Sequence, residues 1–322
     1  MVNLKEISVA QFPGQGSQKP GMGKYWHDNF KEAQLCFEEA NDTLAYDLKS
    51  ICFQESQSEK LNDTEYTQPA LLCNSIAIFK TLQNHSELQP KYFLGHSLGE
   101  FSALCAMGVI NFKEALKLVQ KRAQLMKQAC PSGVGSMAAL IFKNPEENNQ
   151  ETAQKLCDLA FKETEKQCHL ANFNSPAQIV ISGYKEAIVY AVQQAKELGI
   201  RRAIELNVSG PFHSPLMQPA AAEFKSHLEE VNWELKHAHY FIPNVTAKLT
   251  VVSELQKSDL VEYLEKQLYS CVQWKPSLEQ LPKSTSFLEI GSGLVLSGLC
   301  KKTLSSDNTF LNTQSLEQET FS

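Results

Sequence analysis

A serine between two glycines, in the run GHSLG at residues 95–99, is the first feature of this sequence that could do chemistry. A short apolar segment, 92–94, precedes it and an apolar run, 101–107, follows it, so the pattern predicts a buried strand that turns into a buried helix. G-x-S-x-G between a strand and a helix is typical of a nucleophile elbow, where a tight turn exposes the hydroxyl. The helix would also direct free N–H groups towards an oxyanion formed beside Ser97. Ser97 is therefore the candidate nucleophile, and the alternative is a plain glycine-flanked turn.

A histidine in a rigid loop is the candidate general base. Pro211 and Pro215 bracket His213, which places it in a loop and not on a helix. A neutral imidazole can take the proton of a serine hydroxyl, so His213 and Ser97 together would support nucleophilic acyl transfer. Without the serine turn upstream, the same histidine would be interpreted as a loop residue that makes structural hydrogen bonds.

A glycine-rich loop at residues 13–18 follows the first predicted strand, 7–12. It is not a phosphate-binding loop, because Met22-Gly23 stands where such a loop requires Lys-Ser or Lys-Thr. An elbow serine needs a second oxyanion donor from another loop, and the backbone N–H of Gln15 is the candidate. A plain turn is the alternative here too.

An arginine lies on the apolar face of a predicted helix at 111–129. Arg122 shares one helical face with four apolar residues: Leu118, Val119, Leu125 and Met126. A buried guanidinium is costly unless an anion meets it. Two partners are open at this point. One is a carboxylate of the protein, with Glu100 as a candidate, and the other is the carboxylate of a substrate, which arginine can hold with two parallel hydrogen bonds.

The order of predicted elements changes after a hinge at residues 133–135. From there the sequence predicts β-α-β-β-α-β, which is typical of a ferredoxin-like module. We interpret this module as a small domain inserted into a larger α/β domain, forming one wall of a cleft. The expected organisation is a catalytic domain at 1–133 and 208–304, an inserted domain at 134–207, and a polar, loosely held C-terminal tail at 305–322.

Composition limits the classes of protein and the compartment. The 322 residues are 43% hydrophobic and carry a net charge of −6, which argues against a general binder of nucleic acids or membrane surfaces. Nine scattered cysteines, none spaced as C-x-x-C, fit reduced thiols in the cytoplasm better than disulfides or zinc. Residues 1–10 lack the apolar core of a signal peptide, and no apolar run approaches the roughly 20 residues of a membrane helix. A monomer is the default expectation.

Several stretches, taken together, resemble the malonyl-CoA:acyl carrier protein transacylases, the acyltransferases of fatty-acid synthesis and their polyketide relatives. The ordered set covers nearly the whole chain and is highly specific. The matching stretches are FPGQGSQ (12–18), TQPALL (67–72), GHSLGE (95–100), RAQLM (122–126), NFNSPAQIVISG (172–183), PFHSPLM (211–217), NVTA (244–247), QLY with VQW (267–274) and EIGSGLVLSGL (289–299).

The resemblance implies an α/β fold, with an α/β-hydrolase-like large domain and an inserted ferredoxin-like small domain. It implies that Ser97 carries the acyl group and that His213 activates it. The backbone N–H groups of Gln15 and Leu98 would form the oxyanion hole. In the family a backbone carbonyl, here that of Gln267, orients the histidine in place of an aspartate.

The resemblance also implies the substrates. Arg122 would bind the free carboxylate of a malonyl group, Gln68 and Asn174 would line the cleft, and Phe212 would limit the room for a methyl branch. The expected reaction transfers malonyl from malonyl-CoA to the phosphopantetheine thiol of acyl carrier protein through a malonyl-serine intermediate. No cofactor is expected, and the same site would serve either fatty-acid or polyketide synthesis.

Two other functions stay open on the sequence. A serine acyl hydrolase could edit acyl-carrier thioesters, although an ordinary α/β-hydrolase has an acid between its serine and a late histidine. Here His213 lies far from the C-terminus and no aspartate is obviously placed. The other alternative is a non-catalytic acyl-binding subunit, against which the presence of both Ser97 and His213 argues.

Overall fold

Two separate sheets organise the computed structural model, which describes residues 3–131, 133–145, 148–208 and 210–318. Their strands are β1 (Val9–Phe12), β2 (Tyr92–Gly95), β3 (Gly135–Ile141), β4 (Cys168–Ser175), β5 (Gln178–Tyr184), β6 (Arg202–Glu205), β7 (Tyr240–Phe241), β8 (Thr250–Val251), β9 (Ser286–Glu289) and β10 (Thr309–Asn312). The helices are α1 (Lys24–Asn29), α2 (Lys31–Leu44), α3 (Leu48–Phe53), α4 (Ser58–Asn62), α5 (Thr64–His85), α6 (Gly99–Ala106), α7 (Phe112–Gln128), α8 (Asn149–Thr164), α9 (Lys185–Gln194), α10 (Gln218–Glu230), α11 (Lys257–Gln267), α12 (Trp274–Glu279), α13 (Val295–Thr303) and α14 (Thr313–Gln318).

The larger sheet has the strand order β10-β9-β1-β2-β7-β8, and all neighbouring strands are parallel except β7 and β8. Its central strand β1 is buried along its whole length, as expected for a parallel sheet covered on both faces. In the register of β1 with β2, Phe12 lies opposite Gly95, so both strands end at the same edge of the sheet. The loop after β1 and the turn after β2 are therefore neighbours.

Lack of space explains the two glycines of the turn between β2 and α6. A Cβ on Gly95 would lie 1.9 Å from the backbone of Gly99, and a Cβ on Gly99 would lie 2.0 Å from the carbonyl oxygen of Phe12. Only glycine permits this close approach of backbone to backbone. Between them Ser97 has a φ of 51°, in the left-handed region that non-glycine residues rarely adopt. The turn thus has the geometry of a nucleophile elbow.

The smaller sheet has the order β4-β5-β3-β6 and is antiparallel throughout. Helices α8 and α9 pack on one of its faces around a core that includes Leu140, Ile181 and Ile188. This is the ferredoxin-like arrangement, so the predicted fold class is confirmed. We keep 134–207 as the proposed bounds of the inserted domain, in which residues 146–147 lie outside the described part and the first helix begins at Asn149.

Helix α7 matches its prediction closely and carries Arg122. The side chain of Asn111 caps it by accepting a hydrogen bond of 2.9 Å from the N–H of Glu114. Arg122 is 1% exposed, and the four apolar residues predicted on its face are buried with it. Helix α7 packs against α5 and α10, and the Arg122 side chain reaches Ser97 in the turn that follows β2.

The C-terminal segment corrects the sequence interpretation, because residues 305–318 are not a loose tail. Strand β10 extends the larger sheet by pairing with β9, and the ring of Phe310 lies 5.3 Å from that of Phe287. Beyond it, Glu317 accepts a hydrogen bond of 2.8 Å from the indole N–H of Trp26. Two apolar residues between polar ones suffice for an edge strand whose backbone bonds to a neighbour, and such a strand leaves little trace in the sequence. The rest of the predicted tail, 319–322, lies outside the described residues.

Within the described part, every helix is too short or too polar to cross a lipid bilayer. The nine cysteines all have free thiols, and seven of them are buried. Burial raises the pKa of several thiols, including that of Cys36 to about 11, so these sulfurs stay protonated at neutral pH.

Candidate active site

A cleft of about 410 Å³ lies between the two sheets. The larger domain contributes Gln15, Ser97 and Arg122 to its lining, and the smaller domain contributes Asn174 and Val180 from β4 and β5. This volume is in the range of small-molecule sites in proteins. The residues predicted to do chemistry therefore meet at one place.

Ser97 and His213 are in direct contact in the cleft. The imidazole Nε2 lies 2.8 Å from the serine Oγ, and Nδ1 lies 2.7 Å from the backbone carbonyl oxygen of Gln267. Because a carbonyl can only accept, Nδ1 carries the proton, and Nε2 is then free to accept the proton of the serine hydroxyl. His213 also has a positive φ, 59°. Strained backbone of this kind is found where surrounding structure fixes a functional side chain.

The environment of His213 keeps its imidazole neutral. Burial and the nearby charge of Arg122 lower the pKa of His213 to about 3, although the carbonyl of Gln267 acts in the opposite direction. The end of α11 holds this loop, since the N–H of His213 also donates to the carbonyl of Leu268 at 3.0 Å. The imidazole is therefore in its proton-accepting form throughout the neutral pH range.

Two backbone N–H groups are available beside the hydroxyl. Gln15 and Leu98 both line the cleft, and neither N–H donates to an acceptor within the described residues. Leu98 stands at the start of α6, where N–H groups are free and the helix dipole is positive. The side chain of Gln15 is held by a 2.9 Å hydrogen bond from the hydroxyl of Thr64. The geometry places both predicted oxyanion donors at the same cleft as Ser97.

Arg122 is held by neutral groups. Its Nη1 donates to Oε1 of Gln68 at 2.6 Å, and its Nη2 donates to Oε1 of Gln267 at 2.7 Å and to Oγ of Ser97 at 3.2 Å. Its Nε has no partner in the described part of the chain. The guanidinium also lies 5.4 Å from the ring centre of Phe101, a cation–π contact.

Glu100 is not the direct partner of Arg122. The ion pairs of the described residues do not include Arg122, and the carboxyl of Glu100 is bonded to Gln267 and Asn244. Burial lowers the pKa of Arg122 to about 9, so the guanidinium remains charged at neutral pH. Of the two partners that the sequence left open, Glu100 makes no direct hydrogen bond to this charge within the described residues, and a substrate carboxylate stays a prediction.

The remaining predicted residues surround these groups. Gln68 is bonded to Arg122, and Asn174 lines the cleft with its Oδ1 2.8 Å from Nε2 of His96. Phe212 lines the cleft beside His213 and is 6% exposed. All nine residues singled out from the sequence therefore lie at the cleft or bond to a group that does.

Sequence reasoning missed two side-chain amides that hold the turn of Ser97. The Oδ1 of Asn244 accepts from the N–H of Ser97 at 2.7 Å, and its Nδ2 donates to the carbonyl of Gly95 at 2.7 Å. The side chain of Gln267, expected to act through its backbone only, donates from Nε2 to the carbonyl of Ser97 at 2.9 Å. In the sequence, Asn244 is recognisable only as a polar residue in a loop just after an apolar strand. The residues of that loop do not show which groups its side chain bonds.

In the described part, no group of three or more histidine, cysteine, aspartate or glutamate side chains is placed to hold a metal ion.

Comparisons with known proteins give matches over nearly the whole chain. Residues 11–319 match the acyl transferase domain family. The chain is 43% identical to a malonyl CoA-acyl carrier protein transacylase of Bacillus subtilis over 90% of this chain and 88% of that protein. The crystal structure of a malonyl CoA-acyl carrier protein transacylase from Clostridium perfringens superposes with a TM-score of 0.87 at 34% identity, over 97% of this chain and 96% of that one. A malonyl-transacylase in complex with its type II polyketide synthase acyl-carrier protein gives a TM-score of 0.86 at 36% identity, over 95% and 94% of the two chains.

Proposed function

Since the chain belongs to the malonyl-CoA:acyl carrier protein transacylase family of acyl transferases, we propose that its cleft moves a malonyl group from malonyl-CoA to the phosphopantetheine thiol of acyl carrier protein. The transfer proceeds in two steps through an ester of Ser97. The product serves fatty-acid or polyketide synthesis.

In the first step the hydroxyl of Ser97 attacks the thioester carbonyl of malonyl-CoA. Nε2 of His213, 2.8 Å away, takes the hydroxyl proton as the C–O bond forms. The N–H groups of Gln15 and Leu98 bind the oxyanion, and loss of one such donor typically costs about 10²–10³ in rate. The C–S bond then breaks, the leaving sulfur takes the proton from His213, and malonyl remains as an ester on Ser97.

The second step repeats this chemistry with a different nucleophile. His213 takes the proton of the phosphopantetheine thiol, and the sulfur attacks the ester carbonyl. The tetrahedral intermediate collapses with breakage of the bond to Ser97, whose oxygen recovers the proton from His213. Malonyl-carrier protein leaves, and the free enzyme is restored.

The observation that carries this proposal is the buried guanidinium beside the nucleophile. Arg122 is charged, 1% exposed and bonded only to neutral oxygens, and its Nη2 lies 3.2 Å from Oγ of Ser97. A carboxylate on the acyl group would meet this charge, whereas a neutral acetyl group would leave it without an anion. Phe212 beside the base narrows the room for a methyl branch, which favours malonyl over methylmalonyl.

The direct test separates transfer from hydrolysis. The purified protein is mixed with malonyl-CoA and then with phosphopantetheinylated carrier protein. We expect mass spectrometry to find one malonyl group on the peptide that contains Ser97, and the carrier protein to become malonylated faster than free malonate appears. Release of malonate without a malonylated carrier would identify a hydrolase, and absence of the adduct would identify a non-catalytic acyl-binding subunit.

Substitution of Arg122 tests whether its guanidinium is the reason that the site prefers malonyl over acetyl. We expect Arg122→Ala to lower kcat/KM for malonyl-CoA by about 10²–10³, because removing one partner of a buried charged hydrogen bond costs roughly 2–5 kcal/mol. The kcat/KM for acetyl-CoA should change far less. The kcat/KM of Arg122→Lys for malonyl-CoA should lie between those of the wild type and Arg122→Ala. If Arg122→Ala keeps the wild-type preference for malonyl over acetyl, the guanidinium does not bind the substrate carboxylate.

The remaining expectations follow from the same chemistry. The groups named above are all protein groups, so we propose that the reaction uses no cofactor besides its substrates, malonyl-CoA and phosphopantetheinylated carrier protein. One chain supplies each of these groups, so a monomer suffices for the reaction. The nine free cysteines support a cytoplasmic location.

A further inference from the structure

One buried acid close to Gln267 and Asn244 takes no part in the two proposed steps. Glu100, in the first turn of α6, is 1% exposed. Its Oε1 accepts from the backbone N–H of Asn244 at 3.0 Å, and its Oε2 accepts from Nε2 of Gln267. Both carboxylate oxygens are thus engaged, each with a different element of the larger domain.

Each partner of Glu100 holds one end of the nucleophile's backbone. Asn244 accepts from the N–H of Ser97 at 2.7 Å, and Gln267 donates to the carbonyl of Ser97 at 2.9 Å. The φ of Ser97 is positive, 51°, so this turn depends on surrounding contacts to persist. Glu100 is therefore linked by hydrogen bonds to the N–H of Ser97 through Asn244 and to the carbonyl of Ser97 through Gln267.

The carboxamide of Gln267 also points towards the guanidinium. Its Oε1 accepts from Nη2 of Arg122 at 2.7 Å, while its Nε2 faces Glu100 and the carbonyl of Ser97. A carboxamide can exchange its oxygen and nitrogen ends by a half-turn, and only its neighbours decide between the two orientations. An ionised carboxylate accepts and cannot donate, so Glu100 fixes the nitrogen end towards itself and the oxygen end towards Arg122.

We propose that Glu100 is a positioning residue: its ionised carboxylate orients the Gln267 carboxamide, and so fixes the Ser97 turn and the Arg122 guanidinium relative to each other. The proposal rests on the proposed malonyl transfer. Burial has the larger effect and raises the pKa of Glu100 to about 8, whereas the donors Gln267 and Asn244 and the charge of Arg122 favour the ionised form, so the carboxylate is ionised above that pH. Its negative charge in turn raises the pKa of Arg122 against the effect of burial. The carboxylate thus acts on selectivity through Gln267 and does not itself touch the substrate.

An amide at position 100 cannot replace the carboxylate. Glutamine has a single acceptor oxygen, so in Glu100→Gln either the N–H of Asn244 or the Nε2 of Gln267 would face an NH₂ group. If Gln267 turns to relieve that contact, its own NH₂ group faces Arg122. Aspartate keeps both acceptor oxygens but is one methylene shorter.

The test compares kcat and KM for malonyl-CoA and acetyl-CoA in the wild type, Glu100→Gln and Glu100→Asp, at a pH above 8, where Glu100 is ionised. We expect Glu100→Gln to lower kcat/KM for malonyl-CoA about 10²-fold, the size of effect that a small misplacement of reacting groups produces. The malonyl-to-acetyl ratio should fall about tenfold, as expected for losing a hydrogen bond to a charged group. Glu100→Asp should recover part of the ratio.

Glu289→Gln is the matched control. Glu289 is a second fully buried carboxylate, and its two oxygens accept from the N–H groups of Leu296 and Ser297. It bonds neither Ser97, Arg122 nor Gln267. We expect this variant to lower stability while leaving the malonyl-to-acetyl ratio at the wild-type value.

A double-mutant cycle keeps the proposal testable even where Glu100→Gln is unstable. Gln267→Met removes the carboxamide, so adding Glu100→Gln to it should cause little further change in the malonyl-to-acetyl ratio. Additive changes would overturn the proposal, as would an unchanged ratio in Glu100→Gln with only a lower melting temperature. The wild type would still form the malonyl-serine ester in both of those cases, whereas failure of the proposed function would abolish that ester in the wild type.

Discussion

Two strand-to-helix turns flank the central strand β1, and both place a serine between glycines. The turn from β2 to α6 contains Ser97, and the turn from β9 to α13 contains Ser292 in the run Gly291-Ser292-Gly293. The hydroxyl of Ser97 contacts His213 and Arg122. The hydroxyl of Ser292 is 4% exposed and has no hydrogen-bond partner in the described part of the chain.

The two turns also differ in the use of their helix N-termini. At α13 the carboxylate of Glu289 accepts from the N–H groups of Leu296 and Ser297, so these donors are occupied. At α6 the acid Glu100 instead accepts from Asn244 and Gln267, and the N–H of Leu98 has no acceptor within the described residues. A glycine-flanked serine thus becomes a candidate nucleophile only where other elements bring a base and leave backbone donors free.

The largest expected effect comes from exchanging each serine for alanine. We expect Ser97→Ala to lower the rate of malonyl transfer by on the order of 10⁶, as removal of a nucleophilic serine does in other enzymes. Ser292→Ala should leave the rate within about twofold, because its hydroxyl contacts no reacting group. Steady-state assays and mass spectrometry of the acyl adduct measure both. A malonyl adduct on Ser97→Ala, or a large rate loss in Ser292→Ala, would remove the distinction between the turns.

A smaller effect is expected on the stability of the protein when the buried carboxylate of Glu289 is replaced. We expect Glu289→Gln to lower the free energy of unfolding by about 1–3 kcal/mol, because one buried N–H of α13 loses its acceptor. Chemical denaturation followed by circular dichroism measures this change. Ser292→Ala is a suitable reference for the same turn, since it removes a buried hydroxyl that makes no hydrogen bond. Equal stability of the wild type and Glu289→Gln would show that these two hydrogen bonds do not hold the helix.

The smallest expected effect is that titration of His213 leaves no inflection in the neutral part of the pH profile. The pKa of His213 is lowered to about 3, so its proton-accepting form predominates above that pH. We therefore expect the rate of malonyl loading to show no inflection near pH 6.5, the ordinary value for histidine. Rapid-mixing measurements from about pH 5 to about pH 9 give this profile.

Glu100 provides the internal control for that profile. Burial raises the pKa of Glu100 to about 8, and its two donors require the charged form, which is present above that pH. An inflection near pH 8 in the wild type should therefore be absent from Glu100→Gln. An inflection near pH 6.5 in both proteins would show that the imidazole titrates in the neutral range.

Local patterns in the sequence were sufficient for the parts of the site that depend on neighbouring residues. The glycines around Ser97 predicted the turn because the lack of a Cβ is a property of the residue itself. Spacing along α7 predicted the burial of Arg122 because residues three and four apart share a helical face. The β-α-β-β-α-β order predicted the smaller sheet for the same reason, since each element is recognisable within its own segment.

Contacts between distant segments were decided by the tertiary structure. Ser97 and His213 are 116 residues apart in the chain, and the amide of Gln267 reaches the carbonyl of Ser97 across 170 residues. The resemblance to a family supplied the backbone role of Gln267, but nothing in the sequence showed that its side chain joins Arg122 to the Ser97 turn. Strand β10 was mistaken for a tail because its stability comes from backbone hydrogen bonds to β9.

The amino-acid sequence by itself determined which groups this protein can use: a hydroxyl on a tight turn, an imidazole in a rigid loop and a guanidinium on a buried helical face. The tertiary structure decided which groups each of them bonds. Arg122 is held by the oxygens of two amides and not by Glu100. The packing of α6, α7 and α11 places the Gln267 side chain between the carboxyl group of Glu100 and the guanidinium of Arg122. Hydrogen-bond partners depend on positions in space, and spacing along the chain fixes those positions only within a single element.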